Sequence, residues 1–119
     1  MILIVDDQQD ICDVLGVFLQ REGYKTEIAN SGNLAIEMFK KNIPTLVFLD
    51  IRLPDIYGID VLKVLKEMNA KVPIIMITAY RDAEVVVQSF RLGACDCIFK
   101  PFDFNYIKTV MMSTIGKGK

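Results

Sequence analysis

Histidine is absent from this chain of 119 residues. That absence excludes Ser-His-Asp and Cys-His catalysis, histidine metal sites and a phosphohistidine carried by the chain itself. Long apolar runs are missing too; none approaches the ~20 residues of a membrane-spanning helix. No run of Lys or Arg is longer than Lys40-Lys41 and net charge is −1, so the basic face that direct nucleic-acid binding calls for is lacking. If DNA is a target, another domain or another chain binds it. Cys12, Cys95 and Cys97 form an odd set without metal-type spacing. Buried reduced thiols are therefore expected, rather than a redox or metal site. The start of the chain carries no basic region or cleavage site of a secretory signal, because Ile2–Val5 leads at once into Asp6-Asp7. The expectation is a cytoplasmic protein without membrane attachment.

What is present fits a single ordered domain over residues 1–119, with 116–119 a tail or the start of a linker. Apolar residues make up 52% and charged residues 24%, a balance that argues against disorder. Ile2–Val5 reads as a buried strand. From about Gln8 to Arg21, Ile11, Val14, Leu15, Phe18 and Leu19 fall at helical spacing, and Gly23 supplies a stop. Tyr24–Ala29 alternates as a strand does, and Ser31 can cap a helix over about Asn33–Lys41. Leu46–Leu49 runs into Asp50 and a proline turn, and Gly58 opens a helix through Met68. Ile74–Thr78 is a wholly apolar strand ending in a hydroxyl. Asp82 can cap a helix through Leu92, although β-branched Val85-Val86-Val87 leaves that element ambiguous by propensity. Cys95–Phe99 is a fifth strand, and Asp103 caps a last helix. Strict alternation predicts an α/β fold, a doubly wound five-stranded parallel sheet in the order 2-1-3-4-5, with five helices on both faces.

The residues that follow the strands share one edge of such a sheet. They are Asp6 and Asp7 after strand 1, Asp50 after strand 3, Thr78 after strand 4 and Lys100 after strand 5. Each has an ordinary reading as a helix cap, a turn hydroxyl or a solvated cation, but their joint placement at the ligand-binding edge favours a site. Unit charges 4 Å apart interact by about 4 kcal/mol at an effective dielectric near 20. Lys100 offsets only one of the three carboxylates, so the site either raises a carboxylate pKa or holds a divalent cation. Carboxylates and carbonyls suit Mg²⁺. Three carboxylates, one lysine and one Mg²⁺ sum to zero charge, and Asp50 can then serve as a nucleophile in phosphoryl transfer.

The chain resembles the receiver domains of two-component response regulators over essentially its full length. The motifs are Val5-Asp6-Asp7, Leu49-Asp50-Ile51-Arg52-Leu53-Pro54 with Gly58, Ile77-Thr78-Ala79, and Lys100-Pro101. The resemblance implies that Asp50 accepts a phosphoryl group from a phosphohistidine on a sensor histidine kinase or histidine phosphotransfer protein. It further implies Mg²⁺ bound by Asp7, Asp50 and the backbone carbonyl of Arg52, with Asp6 acting through water. Thr78, Lys100 and the backbone N–H of Ala79 would hold the phosphoryl oxygens, and Lys100-Pro101 would be a cis peptide. Helix 4, strand 5 and helix 5 would form the phosphorylation-dependent surface, a homodimer included. Helix 1 would face the phosphodonor.

One position departs from that pattern. Receivers usually carry Tyr or Phe three residues before the lysine, as part of the switch with the threonine; here Cys97 occupies it. Signalling is therefore expected to rely on Thr78 and the loop after it. Arg52 and Tyr80 are large residues two positions past Asp50 and Thr78, where they could obstruct water and slow hydrolysis of the phosphoryl group. The last helix, with Phe104, Tyr106 and Met112 beside its core residues, is more apolar than one buried stripe requires. The alternatives are a Mg²⁺-dependent aspartyl-phosphate phosphohydrolase, a flavodoxin-like nucleotide binder and a pseudo-receiver that only binds partners. The hydrolase would usually have a second acid where Arg52 stands, and the nucleotide binder a glycine-rich loop where Asp6-Asp7 stands.

Overall fold

Side-chain alternation along short apolar strands divides the core into two layers, one on each face of a single sheet. The computed structural model describes residues 1–116. In chain order the elements are β1 (Ile2–Val5), α1 (Gln9–Arg21), β2 (Thr26–Ala29), α2 (Gly32–Lys41) and β3 (Leu46–Asp50). They continue with α3 (Gly58–Met68), β4 (Ile74–Thr78), α4 (Ala83–Arg91), β5 (Asp96–Phe99) and α5 (Phe104–Ile115). The strands pair in parallel in the order β2-β1-β3-β4-β5, as expected.

Leu3, Val5, Val47, Leu49, Ile74 and Met76 point to one face, where α2, α3 and α4 cover them with Phe39, Leu62, Leu65 and half-buried Val85 and Val86. Ile2, Ile4, Leu46, Phe48, Ile75 and Ile77 point to the other, under Leu15 and Leu19 of α1 and Ile107, Val110 and Met111 of α5. Burying both faces explains why β1, β3 and β4 are unbroken apolar runs instead of alternating ones.

The ambiguous Val85-Val86-Val87 segment is helical. Its three valines each disfavour a helix by about 0.5 kcal/mol relative to alanine. Burying an apolar side chain contributes about 1.5–3 kcal/mol, so even the partial burial of Val85 and Val86 outweighs the propensity. Asp82 adds the expected cap, accepting from the Glu84 N–H at 2.8 Å. Two strands begin later than the pattern suggests. β2 starts at Thr26 because the Tyr24 N–H is engaged by the Leu19 carbonyl at the end of α1. β5 starts at Asp96, which leaves Cys95 exposed before the edge strand, contrary to the expectation of three buried thiols; Cys12 and Cys97 are buried and all three are free. The expected tail begins at Gly116, and 117–119 lie outside the described residues.

The register decides where the polar residues fall. Val5 pairs with Leu49, so Asp6 follows on one strand beside Asp50 on the next. Thr78 pairs with Phe99, so Lys100 follows it directly, with the Lys100 N–H on the Thr78 carbonyl at 2.9 Å. The strand ends thus meet at the point where the chain winds in opposite directions from β1, the usual ligand crevice of open α/β sheets.

Gly58 brings the start of α3 back against the end of β3, with its N–H 2.7 Å from the Ile51 carbonyl. A Cβ at this position would collide with the Asp50 carbonyl oxygen and lie 2.6 Å from the Ile51 Cα. Gly16, inside α1, is the opposite case, since a Cβ there would meet nothing within 4 Å. Gly58→Ala should therefore lower stability by about 3 kcal/mol, the upper end of overpacking costs. Gly16→Ala should raise it by about 0.5–1 kcal/mol. Urea denaturation of the two variants checks both signs.

Candidate functional site

Asp6 is fully buried and Asp50 nearly so, at 0% and 4% exposure, whereas Asp7 is exposed at the mouth of the crevice. One carboxylate oxygen from each lies within 4.8 Å of the others. Lys100 reaches into this group from β5. Its Nζ lies 2.8 Å from Asp6 Oδ2 and 3.3 Å from Asp50 Oδ2. The Asp6 contact is an ion pair without hydrogen-bond alignment, which leaves that buried oxygen without a directed donor. Asp6 Oδ1 accepts from the Gln8 N–H at 2.9 Å.

One ammonium shared between two buried carboxylates does not balance them, and Asp50 registers the excess. Burial, and next the negative charge of Asp6, push its pKa up to about 6, against the opposing pull of Lys100. Burial works to lower the pKa of Lys100, but its close contacts with Asp6 and Asp50 and their charges more than offset this, and the net shift is upward. Of the two outcomes open to an acidic cluster, a raised carboxylate pKa is thus visible in the protein alone.

A cleft of about 470 Å³ opens over the cluster, lined by Asp7, Gln8, Asp50, Arg52, Thr78, Ala79, Tyr80 and Lys100. All the strand-end residues named from the sequence except buried Asp6 line it, and Asp6 lies directly beneath through its ion pair. Thr78 Oγ1 accepts from the Tyr80 N–H at 2.9 Å. The hydroxyl proton is therefore free to donate elsewhere. Arg52 and Tyr80 are in contact, the guanidinium carbon standing 4.1 Å from the ring centroid, and together they form the rim. The Tyr80 hydroxyl lies 3.1 Å from Asp82 Oδ2, which links that rim to the cap of α4. The Lys100-Pro101 peptide is cis.

Cys97 stands apart from the cleft, in the core beneath α2, α3 and α4. Burial, then the charge of Asp96, raises its thiol pKa. Cys12, whose Sγ is 3.4 Å from the Asp6 carbonyl oxygen, is pushed up to about 11 by burial and then by Asp6. Both are poor thiolates at neutral pH.

Two residues escaped the sequence reading. Gln8 accepts from Lys100 Nζ at 2.8 Å through its side-chain oxygen. Its position right after the acidic pair was the available signal. Asp55 bonds the start of α2, with partners 22 and 23 residues earlier. No local pattern announces that contact.

Removing Lys100 and removing Asp50 should have opposite effects in metal-free buffer. Lys100→Met leaves Asp6 without a counterion and should destabilise by about 3 kcal/mol, as breaking buried pairs does. Asp50→Asn removes an unfavourable buried charge and should stabilise by about 1–2 kcal/mol at pH 8. The folded state holds the Asp50 proton more tightly than the unfolded chain, whose value is near 3.8. Stability from this group therefore increases as pH falls through about 6 and is fully gained below about 3.8. The advantage of Asp50→Asn over the wild type should shrink across that window in paired denaturation curves.

Residues 2–112 match the family described as the response regulator receiver domain. The chain is 38% identical over 107 residues to sporulation initiation phosphotransferase F of Bacillus subtilis, covering 90% of this chain and 86% of that protein. It is 34% identical over 114 residues to the regulatory protein AtoC of Escherichia coli, covering 96% of this chain but 25% of that protein. The chain thus spans about a quarter of the length of the regulators that it matches in this way. In structure it is similar to the receiver domain of NtrX from Brucella abortus, with TM-score 0.92, 32% identity, and coverage of 99% of this chain and 100% of that one.

Proposed function

The chain belongs to the response regulator receiver family, and from that premise we propose that Asp50 is the phosphoacceptor of a Mg²⁺-dependent signalling switch. The donor, following the family, is a phosphohistidine on a sensor histidine kinase or a histidine phosphotransfer protein, and it lies outside these 119 residues, which hold no histidine. The observation that carries the reading is the cluster of Asp6, Asp7 and Asp50 oxygens within 4.8 Å, with Lys100 on its inner side.

That donor set fits Mg²⁺, which favours carboxylate and carbonyl oxygens and retains waters. Asp7, Asp50 and the Arg52 carbonyl would hold it, with Asp6 acting through water. When bound, it supplies positive charge that offsets the acidic cluster and the oxygens of the incoming phosphoryl group. The protein's own residues do the rest. An Asp50 carboxylate oxygen forms the new bond to phosphorus as the donor's N–P bond breaks, and the electron pair leaves with the imidazole, which takes up a proton. Lys100 favours the ionised nucleophile and binds a phosphoryl oxygen. The free proton of Thr78 and the N–H of Ala79 bind the others. These are positioning and charge effects, which dominate phosphoryl transfer.

Phosphorylation then changes what the domain binds. Large apolar residues are exposed on α4 (Val87 and Phe90) and on α5 (Tyr106 and Met112), the surface for a homodimer or another partner. Buried Cys97 is too small to act as the usual aromatic reporter. The signal instead leaves through Thr78 and the loop that ties Tyr80 to the cap of α4. We read residues 1–119 as one receiver domain working in the cytoplasm, without direct nucleic-acid binding. Among the described residues no helix is long and apolar enough to cross a membrane. The E. coli relatives are named as regulatory proteins; an output of that kind would be carried by another domain or chain.

Incubation with Mg²⁺ and acetyl phosphate should give a stoichiometric, acid-labile adduct that Asp50→Asn abolishes. Steady turnover of a phosphoester would instead establish the phosphohydrolase, and no adduct with intact Mg²⁺ binding the pseudo-receiver. The stacked Arg52 and Tyr80 shield the site from in-line water, so the double variant Arg52→Ala, Tyr80→Ala should shorten the phosphoryl lifetime about tenfold, or 1.4 kcal/mol of barrier. An unchanged lifetime, followed by loss of labelled phosphate, removes the shielding role.

A further inference from the structure

The loop between β3 and α3 carries Arg52, and the first backbone groups of α2 hold that loop in place. Three N–H groups at the start of α2 have no partner within the helix. Ser31 satisfies Leu34, with its Oγ 3.2 Å from that N–H. The other two, on Gly32 and Asn33, donate to the two carboxylate oxygens of Asp55 at 2.8 and 2.9 Å. Asp55 Oδ1 also accepts from its neighbour Ile56 at 2.9 Å. These backbone bonds hold the Asp55 carboxyl below its ordinary pKa, so it stays charged against the positive end of the α2 dipole.

The packing matches the hydrogen bonds. A Cβ on Gly32 would lie 2.9 Å from Val61 Cγ2 and 3.1 Å from Ile56 Cβ, so the start of α2 sits directly on this loop and on α3. Tyr57, at the cap of α3, makes no side-chain capping bond that could hold the crest of the loop. At the other end the loop is fixed by the Gly58 N–H on the Ile51 carbonyl. Arg52 to Tyr57 therefore span an arc pinned at its base and, at its crest, by Asp55.

We propose that Asp55 is a positioning residue for the cation site: by tying this arc to α2, it sets the Arg52 carbonyl and the Arg52 side chain before any cation or phosphoryl group binds. The inference rests on the metal reading given above and adds a residue that touches neither metal nor phosphoryl group. Groups that orient metal ligands typically contribute 10–100-fold in affinity.

Mg²⁺ titration followed by thermal shift, on the full chain at high salt where through-space charge is screened, tests it. Asp55→Ala should raise the Mg²⁺ midpoint about tenfold, and Asp55→Asn, which keeps one acceptor oxygen, should fall between that and the wild type. Ser31→Ala weakens the same helix end without touching the loop; it should lower the melting temperature and leave the midpoint within about twofold. The proposal is overturned if Asp55→Ala leaves the midpoint unchanged, if Ser31→Ala moves it equally, or if the wild type shows no Mg²⁺ response at all. A parallel acetyl phosphate reaction separates the two readings. A wild type that binds Mg²⁺ without forming an adduct refutes the phosphoacceptor while the midpoints still judge Asp55.

Discussion

Two carboxylates buried side by side around one ammonium are the constraint to which the rest of the molecule answers. Asp6 and Asp50 are brought together by the pairing of β1 with β3, and Lys100 is delivered between them from the far edge of the sheet. Water would solvate these groups far better than the protein does, and the raised pKa of Asp50 records the difference. A stability argument gives no reason to retain such a cluster. The cluster is an electrostatic deficit of the kind that a bound cation would relieve, and the fold supplies the rigidity to maintain that deficit.

The scaffold does so with little polar help. Two apolar layers, one under α1 and α5 and one under α2 to α4, clamp the sheet from both sides. Bonds from the loops then refine the crevice: Thr78 to Tyr80, Tyr80 to Asp82, and Asp55 to the start of α2. The first two connect Tyr80 of the rim to α4, and the last connects the loop that carries Arg52 to α2. The crevice is thus tied to helices on the same face of the sheet by bonds that do not involve Cys97.

Much of this was legible in the sequence, because strand-end chemistry depends on order alone. Once five apolar runs alternate with helices, Asp6, Asp7, Asp50, Thr78 and Lys100 must share an edge, and they do. The α4 segment was ambiguous because local propensity opposed a tertiary gain that only packing reveals. Cys95 was misjudged because an apolar neighbourhood in sequence does not show that the strand lies at a sheet edge. Asp55 was invisible for a different reason. Its partners are backbone N–H groups, which every residue type offers, so no side-chain identity could mark the pair.

The strands β1, β3 and β4 are apolar toward both helix layers, and this bears on how the chain finds its alignment. Sliding such a strand along its neighbour exchanges one aliphatic side chain for another, a change that cores tolerate at about 1.5 kcal/mol or less. Hydrophobicity alone therefore sets these strands in place only loosely. What resists slippage is Asp6 just past β1 and Asp50 at the end of β3, since drawing an unpaired carboxylate into the sheet costs several kcal/mol, with a smaller cost for the Thr78 hydroxyl at the end of β4. The strand-end residues that gather at the crevice thus also act as end stops, and substitutions that neutralise them release a constraint on alignment as well as changing the charge of the crevice.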